Sequence, residues 1–392
     1  MKQKSSGKIL VDKAKIDELL SRGVEEIIDR EHLEKVLISG KKLRVKFGID
    51  PTSPDIHLGH TVPFRKLAQF QAMGHQIVLI IGDFTAKIGD PTGRSNERKP
   101  LTESDVKKNM KEYLAQAGKV INIKNTEIHY NSEWHETEGL AATLEMARAA
   151  TFQQIIKRAD FQKRIEAGND ITILEILYPL FQGYDSVKVN ADIEVGGSDQ
   201  KFNLLMGRRV QRHFGQAEQD ILTLPLLEGT DGVQKMSKSY GNYVGISEPP
   251  NEMFGKIMTI PDSLIEKYFV LLTNIAMPKK SPYEAKMILG ETIVADFHST
   301  VDAKEAREEW LRVFSKKERP EDAPKLKVKE KKLLLLELVV LAGIGSKSEA
   351  RRLIEQNAVK INDVVKKDIN EVVVLKSGDM LRVGKHRFFE IA

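Results

Sequence analysis
The chain contains no cysteine, which excludes disulfides, thiolate zinc sites and cysteine nucleophiles together and makes the cytosol the expected compartment. It also lacks a long apolar run. The longest, LLLLELVVLAGIG at 333–345, is broken by Glu337 and falls short of the ~20 residues that span a bilayer, so no membrane partner is expected. The opening MKQKSSGKILVDKAKIDELL has basic residues but no apolar stretch behind them, so no secretory signal is expected. Internal repeats and low-complexity tracts are missing as well. A strong excess of one charge is also absent: the net balance is +5, and residues 331–392 hold twelve Lys or Arg against eight Asp or Glu. That tail is the first place to look for a polyanionic partner.

What remains is a globular composition, 41% hydrophobic and 30% charged over 392 residues, enough chain for two or three cores. Residues 12–38 read as an amphipathic helical lead-in, with Ile16, Leu19, Leu20, Val24, Ile27 and Ile28 at helical spacing. VKFGID (45–50) reads as a strand, 60–73 as a helix and IVLIIGD (77–83) as a buried strand. That rhythm predicts a parallel βαβ unit in a sheet covered on both faces. Residues 102–170 read as polar helix and loop, and ADIEVGG (191–197) and ILTLPLL (221–227) as further strands. From 246 the pattern turns helical until about 315. KKERPEDAPKLKVKEKK (316–332), charged and proline-bearing, reads as a linker. Beyond it, a short helical pair and the strand-like VKINDVV, EVVVLK and RFFEI predict a compact α+β module.

Two short stretches carry chemistry. In HLGH (57–60), histidines three apart flank a glycine where a strand hands over to a helix. In an open parallel sheet that is where ligands bind, and the helix N-terminus offers free N–H groups to an anion. His57 and His60 can donate to phosphate oxygens, and Gly59 lets a nucleotide approach the backbone. The second stretch is DGVQKMSKSYGN (231–242), in which Lys235 and Lys238 sit on a glycine-flanked loop able to fold over a polyphosphate. Alone, each also fits a plain surface feature. In this order within an α/β domain, HLGH and KMSKS resemble the paired signature of class I aminoacyl-tRNA synthetases.

From about residue 40 to the C-terminus, the chain resembles the bacterial tyrosyl-tRNA synthetases. FGIDPTSPDIHLGH, IGDPTGRSNER, YPLFQGYD, VGGSDQ, KMSKS and MFGKIMTIPD stand in that family's order, and SKSEARRLIEQNAVKIND (346–363) resembles an S4 RNA-binding domain. The resemblance implies an α/β fold: a Rossmann-like parallel-sheet catalytic domain over 1–245 with a dimerisation insertion at about 120–170. A helical anticodon-binding domain (246–315) follows, then the linker, then a small α+β S4-like domain (333–392). It implies activation of tyrosine by ATP, transfer to tRNA(Tyr), and a homodimer. Mg²⁺ is expected to accompany ATP, with no metal site in the protein and no tightly bound cofactor.

Residue by residue, the resemblance assigns Thr52, His57, His60, Lys235 and Lys238 to the phosphates, with Arg94 and Arg98 helping to close the site. Gly48, Asp50, Gly59, Gly197, Asp199, Met236 and Ser237 fall at ATP-contact positions. Tyr178, Gln182 and Asp185, spaced to share one helix face, are assigned to tyrosine together with Asp90 and Gln200. Asp185 accepts the phenol proton; Asp90, Tyr178 and Gln182 hold the α-ammonium. Lys347, Arg351, Arg352 and Lys360 form the basic face expected to meet tRNA. Many relatives place a tyrosine, a second phenol partner, where this chain has Lys46; an ammonium there could donate instead, or the side chain could point away. Tryptophanyl-tRNA synthetases share both signatures, but Asp185 and the S4-like tail favour tyrosine. An RNA-binding protein on a synthetase scaffold and a nucleotidylyltransferase are the more distant alternatives.

Overall fold
The computed structural model describes residues 9–50, 55–92, 103–315, 323–328, 332–343, 346–362, 364–384 and 387–392, with side chains from 109 to 313 in the third of these spans. The chain divides into two compact units, 1–303 and 304–392.

The first unit is built on a six-stranded sheet of β1 (Glu26–Ile28), β2 (Arg44–Ile49), β3 (Gln76–Ile81), β4 (Thr126–Tyr130), β5 (Ile193–Gly197) and β6 (Asp220–Leu224), in the order β1-β6-β5-β2-β3-β4. Strands β2 to β6 run parallel, as expected, and β3 is apolar on both faces because helices cover both sides. The sheet is nonetheless mixed, since β1 pairs antiparallel with β6. The lead-in at 12–38 is therefore not one helix. Gly23 (φ +63°) and Asp29 (φ 59°) interrupt it in left-handed conformations, leaving helices Lys13–Ser21 and Arg30–Ile38 on either side of β1. β4 adds one strand to the span 102–170, read mostly as polar helix and loop. TEIHY is half-buried at every position, so an edge strand there shows no apolar alternation.

Between β2 and β5 the order of the sheet reverses: the chain winds outward to β3 and β4 on one side and to β6 on the other. The carboxyl ends of the strands diverge at such a point and leave a crevice. Helix Leu58–Ala72 starts beside it after β2, and helix Ile173–Lys188 precedes β5. The latter begins with a reciprocal cap, Thr172 and Glu175 each accepting the other's backbone N–H at 3.2 and 2.9 Å. It packs tightly on helix Lys201–His213, where a side chain on Gly183 would meet Val210 at 2.8 Å and the Gly207 backbone at 3.3 Å. Helices Pro250–Thr259, Ile265–Leu272 and Pro282–Phe297 belong to this unit too.

The second unit carries helices Leu335–Leu341 and Lys347–Glu355, which bury Leu335, Leu338, Ala350 and Ile354 with Val359, Leu381 and Val383. Its strands are β7 (Lys325–Leu326), β8 (Lys332–Leu334), β9 (Val359–Ile361), β10 (Val364–Lys366), β11 (Val372–Val374), β12 (Met380–Val383) and β13 (Arg387–Ile391). They form a sheet of order β10-β9-β12-β13-β7 and a separate β11-β8 pair. Within the span read as a linker, β7 pairs parallel with β13. Among the described residues, no helix is long and apolar enough to cross a membrane.

Candidate active site
A cavity of about 410 Å³ opens at the carboxyl ends of β2 and β5. His57, His60, Lys235, Asp90, Tyr178, Gln182, Asp185 and Gln200 line it, as do Gly48, Asp50, Gly59, Gly197, Asp199, Met236 and Ser237. The motifs scattered over nearly two hundred residues thus meet at one place. Thr52, Arg94 and Arg98 lie outside the described residues.

The two signatures are joined through the backbone. Leu58 N–H donates to Val244 O at 2.9 Å and Ile246 N–H to Ile56 O at 3.1 Å, so the segment after KMSKS is stitched to the HLGH turn. His57 caps the helix, and its backbone N–H donates to Nδ1 of His60 at 3.3 Å, leaving the His60 proton on Nε2. The rings stack at 3.7 Å, and a side chain on Gly59 would come within 3.1 Å of the His57 ring. Burial, then the facing His60 and Lys238, lowers His57 to about 2; burial and Lys238 lower His60 to about 4. Both imidazoles are therefore neutral near pH 7 and carry no positive charge into the cavity. Nδ1 of His57 is buried without a partner.

The KMSKS loop is organised by the buried Asn242. Its Oδ1 accepts from Ser237 N–H at 2.8 Å, and its Nδ2 donates to Asp231 Oδ2 at 2.9 Å and to the carbonyls of Gln234 and Lys235 at 3.3 Å. Lys235 pairs with Asp199 at 3.0 Å. Lys238, which does not line the cavity, pairs with Asp55 next to HLGH and lies 5.8 Å over the Tyr243 ring.

On the opposite wall, Tyr178 donates its hydroxyl to Asp50 Oδ2 at 2.8 Å, and Thr85 donates to Asp50 Oδ1 at 2.8 Å. Asp50, expected among the ATP contacts, lines the cavity and is held by Tyr178 and Thr85. Burial, and then the negative charge of Asp90, raise it to about 7. Asp185 is buried at 3% exposure, and its Oδ1 accepts from Trp134 Nε1 and His135 Nε2, both at 2.9 Å. Asn131 Nδ2 stands 3.3 Å from Oδ2. Sequence reasoning missed Thr85, Asn131, Trp134, His135 and Asn242. No local spacing ties the 131–135 turn to a carboxylate fifty residues on.

Lys46 does not itself line the cavity, although its partners Gln182 and Glu194 do. Fully buried, its ammonium donates to Gln182 O at 2.9 Å and Ser186 Oγ at 2.7 Å, and pairs with Glu194 at 2.9 Å. In the other unit, Lys347, Arg351 and Arg352 are exposed on helix Lys347–Glu355, and Lys360 is half-buried on β9.

The sequence profile of the tRNA synthetases class I (W and Y) matches residues 39–315. The tyrosine–tRNA ligase of Aquifex aeolicus is 48% identical over 381 residues, which cover 95% of this chain and 97% of that protein. Its counterpart in Thermotoga maritima is 45% identical over 386 residues, covering 95% and 96%. A C-terminally truncated mitochondrial tyrosyl-tRNA synthetase of Aspergillus nidulans superposes with a TM-score of 0.65 on 77% of this chain and 95% of its own, at 22% identity, a likeness of fold. With this identity along nearly its whole length, and with both signatures meeting at one crevice, the chain belongs to the class I tRNA synthetases for tryptophan and tyrosine, among the tyrosine–tRNA ligases.

Proposed function
We propose that this protein, acting in the cytosol, activates tyrosine with ATP and passes it to tRNA(Tyr) using the cavity between β2 and β5. The observation that carries this reading is Asp185. It shares the cavity with HLGH and KMSKS; Oδ1 accepts from Trp134 and His135, and Oδ2, which accepts from Asn131 Nδ2 at 3.3 Å, keeps a lone pair for a phenol O–H. Phenylalanine would leave that buried acceptor unmatched, the effect by which tyrosyl-tRNA synthetases reject it.

The tyrosine carboxylate is ionised at neutral pH and attacks the α-phosphorus of ATP without a general base. The bond from the α-phosphorus to the bridging oxygen breaks, and pyrophosphate leaves. Catalysis is positioning plus stabilisation of charge growing on phosphate oxygens. His57 and His60 donate to them as neutral imidazoles, and Lys235 and Lys238 exchange Asp199 and Asp55 for phosphate. Thr52, Arg94 and Arg98 act beside them. Mg²⁺ carried with ATP would neutralise further charge on the phosphates; among the described residues no cluster of three or more His, Asp or Glu is arranged to hold a metal. Asp90, Tyr178 and Gln182 surround the α-ammonium, with Asp50 behind them. A ribose hydroxyl of the tRNA terminal adenosine then attacks the tyrosyl carbonyl carbon, and AMP leaves.

The helices of 246–315 serve the anticodon. The S4-like module meets tRNA through Lys347, Arg351, Arg352 and Lys360. The protein works as a homodimer through the insertion: Leu140 is 72% exposed, and Leu144, Phe152 and Ile165 add to an uncovered apolar surface that a second copy would bury. Amino-acid-dependent ATP–pyrophosphate exchange without tRNA, run against all twenty amino acids, tests the whole reading. Exchange with tyrosine alone is expected; exchange with tryptophan, or with none, would sink it.

A further inference from the structure
Both oxygens of Asp90 are held in the cavity wall. Oδ1 accepts the backbone N–H of Thr92 at 2.8 Å, and Oδ2 accepts Nε2 of Gln200 at 2.6 Å. Followed outward, both contacts lead to one side chain. Arg158 donates from Nη2 to the Thr92 hydroxyl at 3.0 Å and from Nη1 to Oδ1 of Asn203 at 2.8 Å; Asn203 in turn donates to Oε1 of Gln200 at 2.9 Å.

Arg158 is itself immobilised. Its Nε and Nη2 grip the two oxygens of Asp160 at 3.0 and 2.7 Å, and its guanidinium carbon lies 4.9 and 5.1 Å from the ring centroids of Phe161 and Phe202. Only 5% of the residue is exposed. Taking a guanidinium out of water is costly, and a single carboxylate leaves three of its five N–H groups without an acceptor, so further hydrogen bonds are needed to offset that cost. Two of those three go to neutral groups, the Thr92 hydroxyl and Asn203 Oδ1, and both of those lead to Asp90.

We propose that Arg158 is a positioning residue for amino-acid recognition, fixing the plane of the Asp90 carboxylate so that it meets the substrate α-ammonium. The proposal rests on the reading that Asp90 holds that ammonium. Arg158 lies between β4 and β5, inside the 120–170 insertion, so the segment that offers the apolar surface also braces the tyrosine site.

The test uses two competitive ligands in tyrosine-dependent pyrophosphate exchange by the full-length protein. Tyrosinol carries the ammonium; 3-(4-hydroxyphenyl)propionate has the phenol but no ammonium. Arg158→Lys keeps the charge and loses the fork, Thr92→Val removes one accepting hydroxyl, and Thr92→Ser restores it. KM for tyrosine and Ki for tyrosinol are expected to rise about tenfold in Arg158→Lys and roughly threefold in Thr92→Val. KM for ATP and Ki for the propionate stay put, and Thr92→Ser behaves as the unaltered protein. A loss shared by both ligands, or by neither, overturns the proposal. If Arg158→Lys does not fold, the Thr92 pair decides alone. If the unaltered protein binds both ligands equally well, the reading of Asp90 fails first and takes the proposal with it.

Discussion

His135 spends its side-chain hydrogen bond on Asp185. Nε2 donates to Oδ1 at 2.9 Å, while Nδ1 is buried without a partner and the ring stacks on Phe84 at 4.9 Å. With the Lys46 ammonium held by Glu194, Gln182 and Ser186, the proposed recognition of the phenol would rest on how firmly Asp185 is aimed. His135→Leu keeps much of the bulk and removes the donor. KM for tyrosine should rise about tenfold, the scale of one bond to a charged group, while exchange with phenylalanine does not fall. Asp185→Asn should erase most of the preference for tyrosine. Unchanged discrimination in either variant would contradict this account.

The carboxyl of Asp50, raised by burial and by Asp90 from its ordinary 3.8 to about 7, should make tyrosine binding pH-dependent. The substrate ammonium favours the ionised form, so affinity should strengthen from about pH 6 to about pH 8 with release of a proton. Calorimetry in buffers of differing ionisation enthalpy would detect that proton. For stability the sign is opposite. The contribution of Asp50 is fully present below its unfolded value and is lost as pH rises toward 7, because the unfolded chain ionises more readily. Asp50→Asn should therefore raise Tm at pH 8, leave it unchanged near pH 4, and flatten the tyrosine profile.

Neutral histidines predict a rate without a histidine titration. With His57 at about 2 and His60 at about 4, kcat at saturating tyrosine and ATP should be level from about pH 6 to about pH 8. His57→Ala should cost about a hundredfold in kcat, and His57→Asn, which keeps an N–H donor, distinctly less. A rate that fell as a histidine near pH 6.5 lost its proton would point to cationic imidazoles instead.

Replacing Lys347, Arg351, Arg352 and Lys360 together by glutamine should leave pyrophosphate exchange intact and weaken tRNA charging. The salt dependence of tRNA binding should flatten as well, since each lost phosphate contact removes released counterions. Equal loss of exchange and charging would mean that the second unit does not act through tRNA.

Much of the site was legible because its motifs are local. Tyr178, Gln182 and Asp185 share a face by helical spacing, and HLGH and KMSKS are contiguous, so each declares itself within a dozen residues. What escaped is assembled from distant pieces. β1 is three residues whose partner, β6, lies about two hundred positions later, and two left-handed residues hide it inside an apparent helix. β4 carries no alternation because every residue is half-buried. The direction of Lys46 depends on Ser186 and Glu194, and the role of Arg158 on Thr92 and Asn203; no window along the chain contains these sets.

The pairing of Lys235 with Asp199 and of Lys238 with Asp55 has a consequence for turnover. Partly exposed ion pairs of this kind are weak and exchange readily. Each carboxylate is a rival for the same cation that pyrophosphate must leave behind. On the proposed reading, ATP would bind with less than the full attraction of two free lysines, and in return pyrophosphate would be displaced by groups already waiting, which would keep the loop from becoming a trap for its own product.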